Sequence, residues 1–346
     1  MAASVKDAAW LEWVANMLGE TPRLAVAATF PPDRFYCLLD EMPVHLLPRG
    51  ATNAVLHDDL SQPLFLSPEC RILPAGQLPD ELIVQPELVS NFALQGTIAW
   101  VRDSAGVFPL PFWLGPKLAS TICSLQPDQD ARALLSPAEC RTLAAARILC
   151  RRDFPASPWN SPGFVDKLCR NYRQKGYAVG TALLHPFQVA ALRRYYRCLV
   201  RKGALRLGDA QSPLRYKAHN EPVARFFHRY FTNIVSAVAG ELVKPSYVYM
   251  ASYLSGAELK KHTDREQCEF SVSFCLDFSP EPEGATPWPL CLDTQEGTAR
   301  VHQALGDGLF YRGTRVPHYR GRLGEGLTST SIFFHYVSTS FTGSLA

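Results

Sequence analysis

The stretch ELKKHTDREQCEFSVSF, residues 258–274, sets His262 two positions before Asp264 and then alternates Phe270, Val272 and Phe274 with serines. That alternation predicts a β-strand. Residues two apart on a strand share a face. His262 and Asp264 can therefore project together from a strand end or the turn beside it. The same pattern also suits an ordinary solvated turn. A neutral imidazole and a carboxylate both suit divalent iron. Two ligands do not hold a catalytic metal, so a third must come from another strand.

Three downstream histidines compete for that place. His318, in GDGLFYRGTRVPHYRG, follows a Gly-Asp-Gly turn, a short strand and a loop, and opens a further strand. Several strands separate it from His262, enough to bring the chain back. His302 (in ARVHQALG) and His335 (in IFFHYV) read as satisfied structural histidines. A second His-x-Asp, His57 and Asp59 in LHDDL, is followed by no strand that returns a third ligand, and His57 reads as a surface turn residue. Two histidines and one carboxylate on one face, with open metal positions, form the facial triad of non-haem iron oxygenases.

The context of the triad is β-rich. After Lys244, short apolar runs alternate with turns through SYVYMASYL, FSVSFCLDF, PLCLDT, ARVHQAL, GLFYRG, RVPHYRG and TSTSIFFHYV. About seven or eight strands in that length predict an all-β sandwich or barrel. Helices precede them. Ser136, Pro137 and Glu139 make a capping box, PGFVDKLCRNYRQKG stops at Gly176, and HPFQVAALRRYYRCLVRKG begins near Pro186 and ends at Gly203. Its basic segment, residues 192–202, reads as the solvated face of an amphipathic helix. NEPVARFFHRYFTNIVSAVAGE, residues 220–241, reads as one long helix.

The first part of the chain differs. Residues 5–19 have a helical period, and residues 25–130 are rich in proline and short apolar runs. LQGTIAWVRDSAGVFPLPFWLG predicts a hairpin, whose aromatics suit a core better than a recruiting surface. A Pro- and Ser-rich segment near residue 155 divides an N-terminal mixed domain (1–155) from the helices and β-domain (156–346). The fold class is α+β.

Bulk properties exclude several functions. The 346 residues are 47% hydrophobic with a net charge of +3, so a sizeable core can form and no basic tract favours nucleic acid. No apolar stretch approaches the roughly 18 residues needed to span a bilayer. The N-terminus lacks a signal-peptide pattern, and ten cysteines without a Cys-x-x-Cys pair suit buried free thiols in a reducing compartment. A cytoplasmic location is expected.

On the triad and its sequel, residues 176–338 resemble the 2-oxoglutarate- and iron(II)-dependent dioxygenase superfamily, nearest its prolyl-4-hydroxylase-like branch. The resemblance implies a double-stranded β-helix, or jelly roll, with iron(II) on His262, Asp264 and His318. It implies 2-oxoglutarate as co-substrate, with ascorbate as an optional addition. The family's basic anchor for the distal carboxylate falls here at Leu327 or Thr328, a departure from the pattern. Arg320, then Arg322, are the substitutes, since both share strand parity with His318 and a guanidinium forks onto a carboxylate. Thr328 and Thr330 are expected as helpers and Tyr253 as a pocket residue. Glu266 and Gln267 are sequence neighbours able to support the imidazoles. The expected activity is hydroxylation of a C–H bond in a small amino-acid-like or peptide substrate. The alternative is a non-catalytic jelly-roll binding protein that keeps a metal site.

Overall fold

The computed structural model describes residues 30–49, 61–103, 106–126, 128–152 and 162–345. The helix expected over 5–19, the His57–Asp59 pair and most of the segment around 155 lie outside them.

The N-terminal part builds short strands β1 (Phe65–Leu66), β2 (Cys70–Leu73), β3 (Thr97–Val101), β4 (Leu110–Leu114) and β5 (Leu149–Cys150). The expected hairpin is β3–β4, and β2 adds to it as a third antiparallel strand. Phe108, Phe112 and Trp113 are buried in one core cluster with Phe226, Phe227 and Phe334 of the C-terminal part. The aromatics thus form a continuous core across the two halves. Ser136 and Glu139 close the predicted capping box around helix Pro137–Ala145.

The C-terminal part contains β6 (Tyr177–Gly180), β7 (Arg206–Leu207), β8 (Arg215–His219), β9 (Val243–Tyr253), β10 (Leu259–His262), β11 (Phe270–Ser279), β12 (Leu290–Thr294), β13 (Gly297–Val301), β14 (Gly308–Tyr311), β15 (His318–Arg320) and β16 (Thr328–Ser338). They form a seven-stranded sheet, β6-β14-β11-β16-β9-β8-β7, and a four-stranded sheet, β10-β15-β12-β13. From β9 to β16 the chain passes repeatedly from one sheet to the other, and the ladders are antiparallel.

Strand parity sorts the large sheet's residues between two surroundings. Val248, Met250, Val272, Phe274, Ile332 and Phe334 belong to the core that holds the helices. Ala251, Tyr253, Cys275 and Phe333 pack with Trp288, Leu305 and Leu323 between the sheets. Leu290 and Leu292 of β12 meet Leu309 and Tyr311 of β14.

Two helical expectations need correction. Residues 220–241 form two helices, Pro222–Tyr230 and Thr232–Ala239, meeting at Phe231. Glu221 caps the first by accepting from the amides of Val223 and Ala224. The basic residues of helix Pro186–Arg201 do not form a solvated face, although Arg201 at its end is exposed. Arg193 is 2% exposed; its guanidinium donates to Asp277 and the Leu46 carbonyl and pairs with Glu281. Arg197 forks onto Asp277. Asp277 near the end of β11 and Glu281 just after it allow these charges to be buried, and no local pattern reveals them.

Removing one partner of a buried charge network strands the rest. Arg193→Ala should cost about 3–5 kcal/mol in denaturant unfolding.

Candidate metal centre

Antiparallel pairing of β10 with β15 sets His262 directly opposite His318. Their ring centroids are 4.4 Å apart. Each imidazole uses Nδ1 on a carbonyl of its own chain, Lys260 at 2.8 Å and Val316 at 3.0 Å. In the tautomer these contacts select, Nε2 carries a free lone pair. Both Nε2 atoms face one oxygen, Asp264 Oδ1, at 3.6 and 3.5 Å. These gaps are long for hydrogen bonds but suit atoms sharing an ion at about 2.0–2.2 Å.

Asp264 lies just past β10, its amide bonded to the Gly313 carbonyl at 2.9 Å. A Cβ on Gly313 would run into the Asp264 carboxylate, the Cys268 carbonyl and the Ser271 hydroxyl. This close approach explains the glycine. Burial raises the Asp264 carboxyl, but the facing imidazoles of His262 and His318 outweigh it and hold the acid well below the usual carboxylate range. Asp264 in turn raises the His262 imidazole against the opposing effect of burial. An ionised carboxylate with two Nε2 donors is a donor set that fits divalent iron.

Support for the carboxylate comes from residues the sequence did not point to. Ser271 Oγ approaches Asp264 Oδ2 at 3.3 Å and His335 Nδ1 at 2.9 Å. His335 is therefore more than a packing residue. The β16–β9 ladder shifts register between Phe334 and Tyr336, and such bulges re-aim side chains. Burial lowers the His335 pKa to about 4, keeping the ring neutral at ordinary pH. Backbone carbonyls hold the two imidazoles, in place of the expected Glu266 and Gln267 side chains. His302 bonds the Thr286 carbonyl, apart from the triad.

The interior beside the triad holds Arg320. It is 4% exposed and two residues beyond His318. Nη1 donates to the Trp288 carbonyl at 2.7 Å, and the guanidinium lies 4.7 Å from the Trp288 ring. Among the described residues its Nε has no hydrogen-bond partner, and no carboxylate pairs with it. Tyr253 is fully buried with its ring 5.0 Å from Trp288, and its hydroxyl accepts from Arg215 at 3.0 Å.

The other expected contacts fall elsewhere. Arg322 is exposed and leans over Gly256, because β15 ends at Arg320. Thr330 donates to Ser252 across the sheet, on the face of Ile332 and Phe334, and Thr328 has the same parity. The inward positions are Ser329 and Ser331. The hydroxyls of Ser331 and of Ser273 on β11 are buried without partners among the described residues, adding polar groups to the interior.

One wall is basic. Arg215, Lys217 and His219 pair with Tyr253, Ala251 and Tyr249, and Arg206 pairs with Lys217, so all four share the inward parity. His219 and Arg206 are exposed. Arg215 is paired with Asp209.

No protein-family model matches the sequence, and no curated protein matches it. Among solved structures, the chain is similar to 2-oxoglutarate- and iron(II)-dependent oxygenases. A prolyl-4-hydroxylase from Pseudomonas putida is 15% identical, with a TM-score of 0.43 over 51% of this chain and 100% of that one. The non-haem α-ketoglutarate-dependent epimerase SnoN from nogalamycin biosynthesis is 15% identical, with a TM-score of 0.43 over 51% and 84%. A 2OG-Fe(II) oxygenase family oxidoreductase from Burkholderia pseudomallei is 13% identical, with a TM-score of 0.40 over 51% and 91%. What this site can do is decided by its own residues.

Two outcomes test the geometry. Ser271→Ala should weaken iron(II) or cobalt(II) binding about 10–100-fold in a direct titration, the range for lost support of a ligand; unchanged affinity would show that the serine does not hold Asp264. The Asp209 carboxyl sits near 2 because the Tyr249 hydroxyl, the Ser212 amide and Arg215 outweigh the effect of burial. Its folded value lies below the ordinary 3.8. Its stabilisation is therefore full above about pH 4–5 and is lost as pH falls through about 2. Wild type and Asp209→Asn should differ in urea unfolding at neutral pH and converge on acidification.

Proposed function

We propose that this protein is an iron(II)- and 2-oxoglutarate-dependent oxygenase that hydroxylates a C–H bond of an amino-acid-like or peptide substrate. The observation that carries the proposal is the pairing of the triad with Arg320. A buried guanidinium without a carboxylate calls for an anion. We read the alternation of β9–β16 between two sheets as the double-stranded β-helix of that family.

His262, Asp264 and His318 would hold the iron. Arg320 would take the distal carboxylate of 2-oxoglutarate, its unpartnered Nε supplying a donor where the family uses a later residue. Once bound, iron and 2-oxoglutarate supply dioxygen activation coupled to oxidative decarboxylation. The chain's residues do the rest. The carbonyls of Lys260 and Val316 fix the two imidazoles. Ser271 steadies the carboxylate. Tyr253, Trp288 and Phe333 supply the apolar walls between the sheets around these polar groups. Arg206 and Lys217 on the inward wall favour a substrate carrying negative charge, such as an amino-acid carboxylate.

Anaerobic iron(II) protein should develop a visible charge-transfer band on adding 2-oxoglutarate, and Asp264→Ala should lack it. Arg320→Leu should weaken 2-oxoglutarate binding about 10–100-fold, the loss of charge-assisted hydrogen bonds, while Arg320→Lys loses less and Arg322→Ala nothing. A band without 2-oxoglutarate-dependent succinate formation across amino-acid and peptide substrates would favour a binding protein. Equal losses in Arg320→Leu and Arg322→Ala would remove Arg320 from its assigned role.

A further inference from the structure

Behind the triad lies a second group of ligand-bearing side chains. Ligand atoms of Asp264, Cys268 and His335 all lie within 4.8 Å of one another. We propose that these three residues form a second metal site, selective for a thiophilic divalent ion such as zinc, which shares Asp264 with the triad. The proposal needs only this cluster and does not rest on the oxygenase reading.

The two oxygens of Asp264 face different ways. Oδ1 meets His262 and His318, and Oδ2 approaches Ser271, which in turn contacts His335. A carboxylate so placed can bridge two ions. The second set differs in chemistry from the first. It replaces an imidazole by a thiol, and thiolate with imidazole selects zinc over harder ions. Cys268 is 1% exposed, but its surroundings are polar for a buried cysteine: the Tyr247 hydroxyl lies 2.9 Å from Sγ. Tyr247 and Ser271 offer oxygens for a fourth position or for support of the ligands. Arg265 stands at the rim, its guanidinium 4.6 Å from the Tyr247 ring.

Binding would replace the thiol proton: the ion gains a sulfur bond and one proton leaves to solvent. Two dications sharing one carboxylate repel strongly at this range. Occupancy of the second site should therefore oppose occupancy of the first, so that a soft ion acts as an antagonist of iron.

Cobalt(II) is the probe, because a cobalt–thiolate bond adds an intense near-ultraviolet charge-transfer band. Metal-free full-length protein titrated with cobalt should show it. Cys268→Ser should abolish it, His335→Gln should weaken the binding that produces it about tenfold or more, and His318→Ala, which disables the triad, should retain it. Absence of the band in wild type, or its survival in Cys268→Ser, would overturn the proposal. Should Cys268→Ser fail to fold, X-ray absorption of the wild-type zinc protein gives the answer: one sulfur at about 2.3 Å supports the site, and an all nitrogen–oxygen shell refutes it.

Discussion

The register between β10 and β15 is the constraint on which the centre depends. One pair, His262 opposite His318, brings together side chains far apart in sequence. A one-residue slip would turn one imidazole to the other face. The ladder also contains an irregularity between Leu259 and His262, yet Leu259 still faces Arg320. One short pairing thus places both the second metal imidazole and the buried guanidinium. The carboxylate is placed separately, by the backbone bond to Gly313 and by the side-chain space that glycine leaves.

Around that pairing, the large sheet serves two environments at once. One face packs aromatics against the helices and the N-terminal strands. The other presents small polar side chains, Ser271, Ser273 and Ser331, beside Tyr253 and Cys275. The rigid, apolar side steadies the polar one. Helix Pro186–Arg201 is tied in from outside by Asp277, at the far end of the strand that carries Ser271. Second-layer support and core packing are therefore carried by the same strand, β11.

Much of this was legible in local sequence. The His-x-Asp pair, the distal histidine, the capping box at Ser136 and the β3–β4 hairpin all follow from period, parity and turn chemistry. The misreadings have a common cause. Arg322 shares parity with His318 in the sequence, but parity lapses where a strand stops, and β15 stops at Arg320. Thr328 and Thr330 lie next to the family's anchor position in the sequence, whereas pairing with Tyr253 and Ala251 turns Ser329 and Ser331 inward. Arg193 looked solvated because its carboxylates lie more than eighty residues away. The Ser271–His335 contact spans 64 positions and involves a bulge. No short pattern encodes such a meeting.

Arg320 has a consequence for the life of the protein. A cation held out of water without a counter-ion weakens the fold that contains it. Any dicarboxylate that settles on it adds stability in proportion to the logarithm of its concentration relative to its dissociation constant. The persistence of the folded chain would then follow the supply of any such acid. Under the proposed function, the abundance of the protein and the availability of 2-oxoglutarate would be linked by thermodynamics alone, with no regulatory domain.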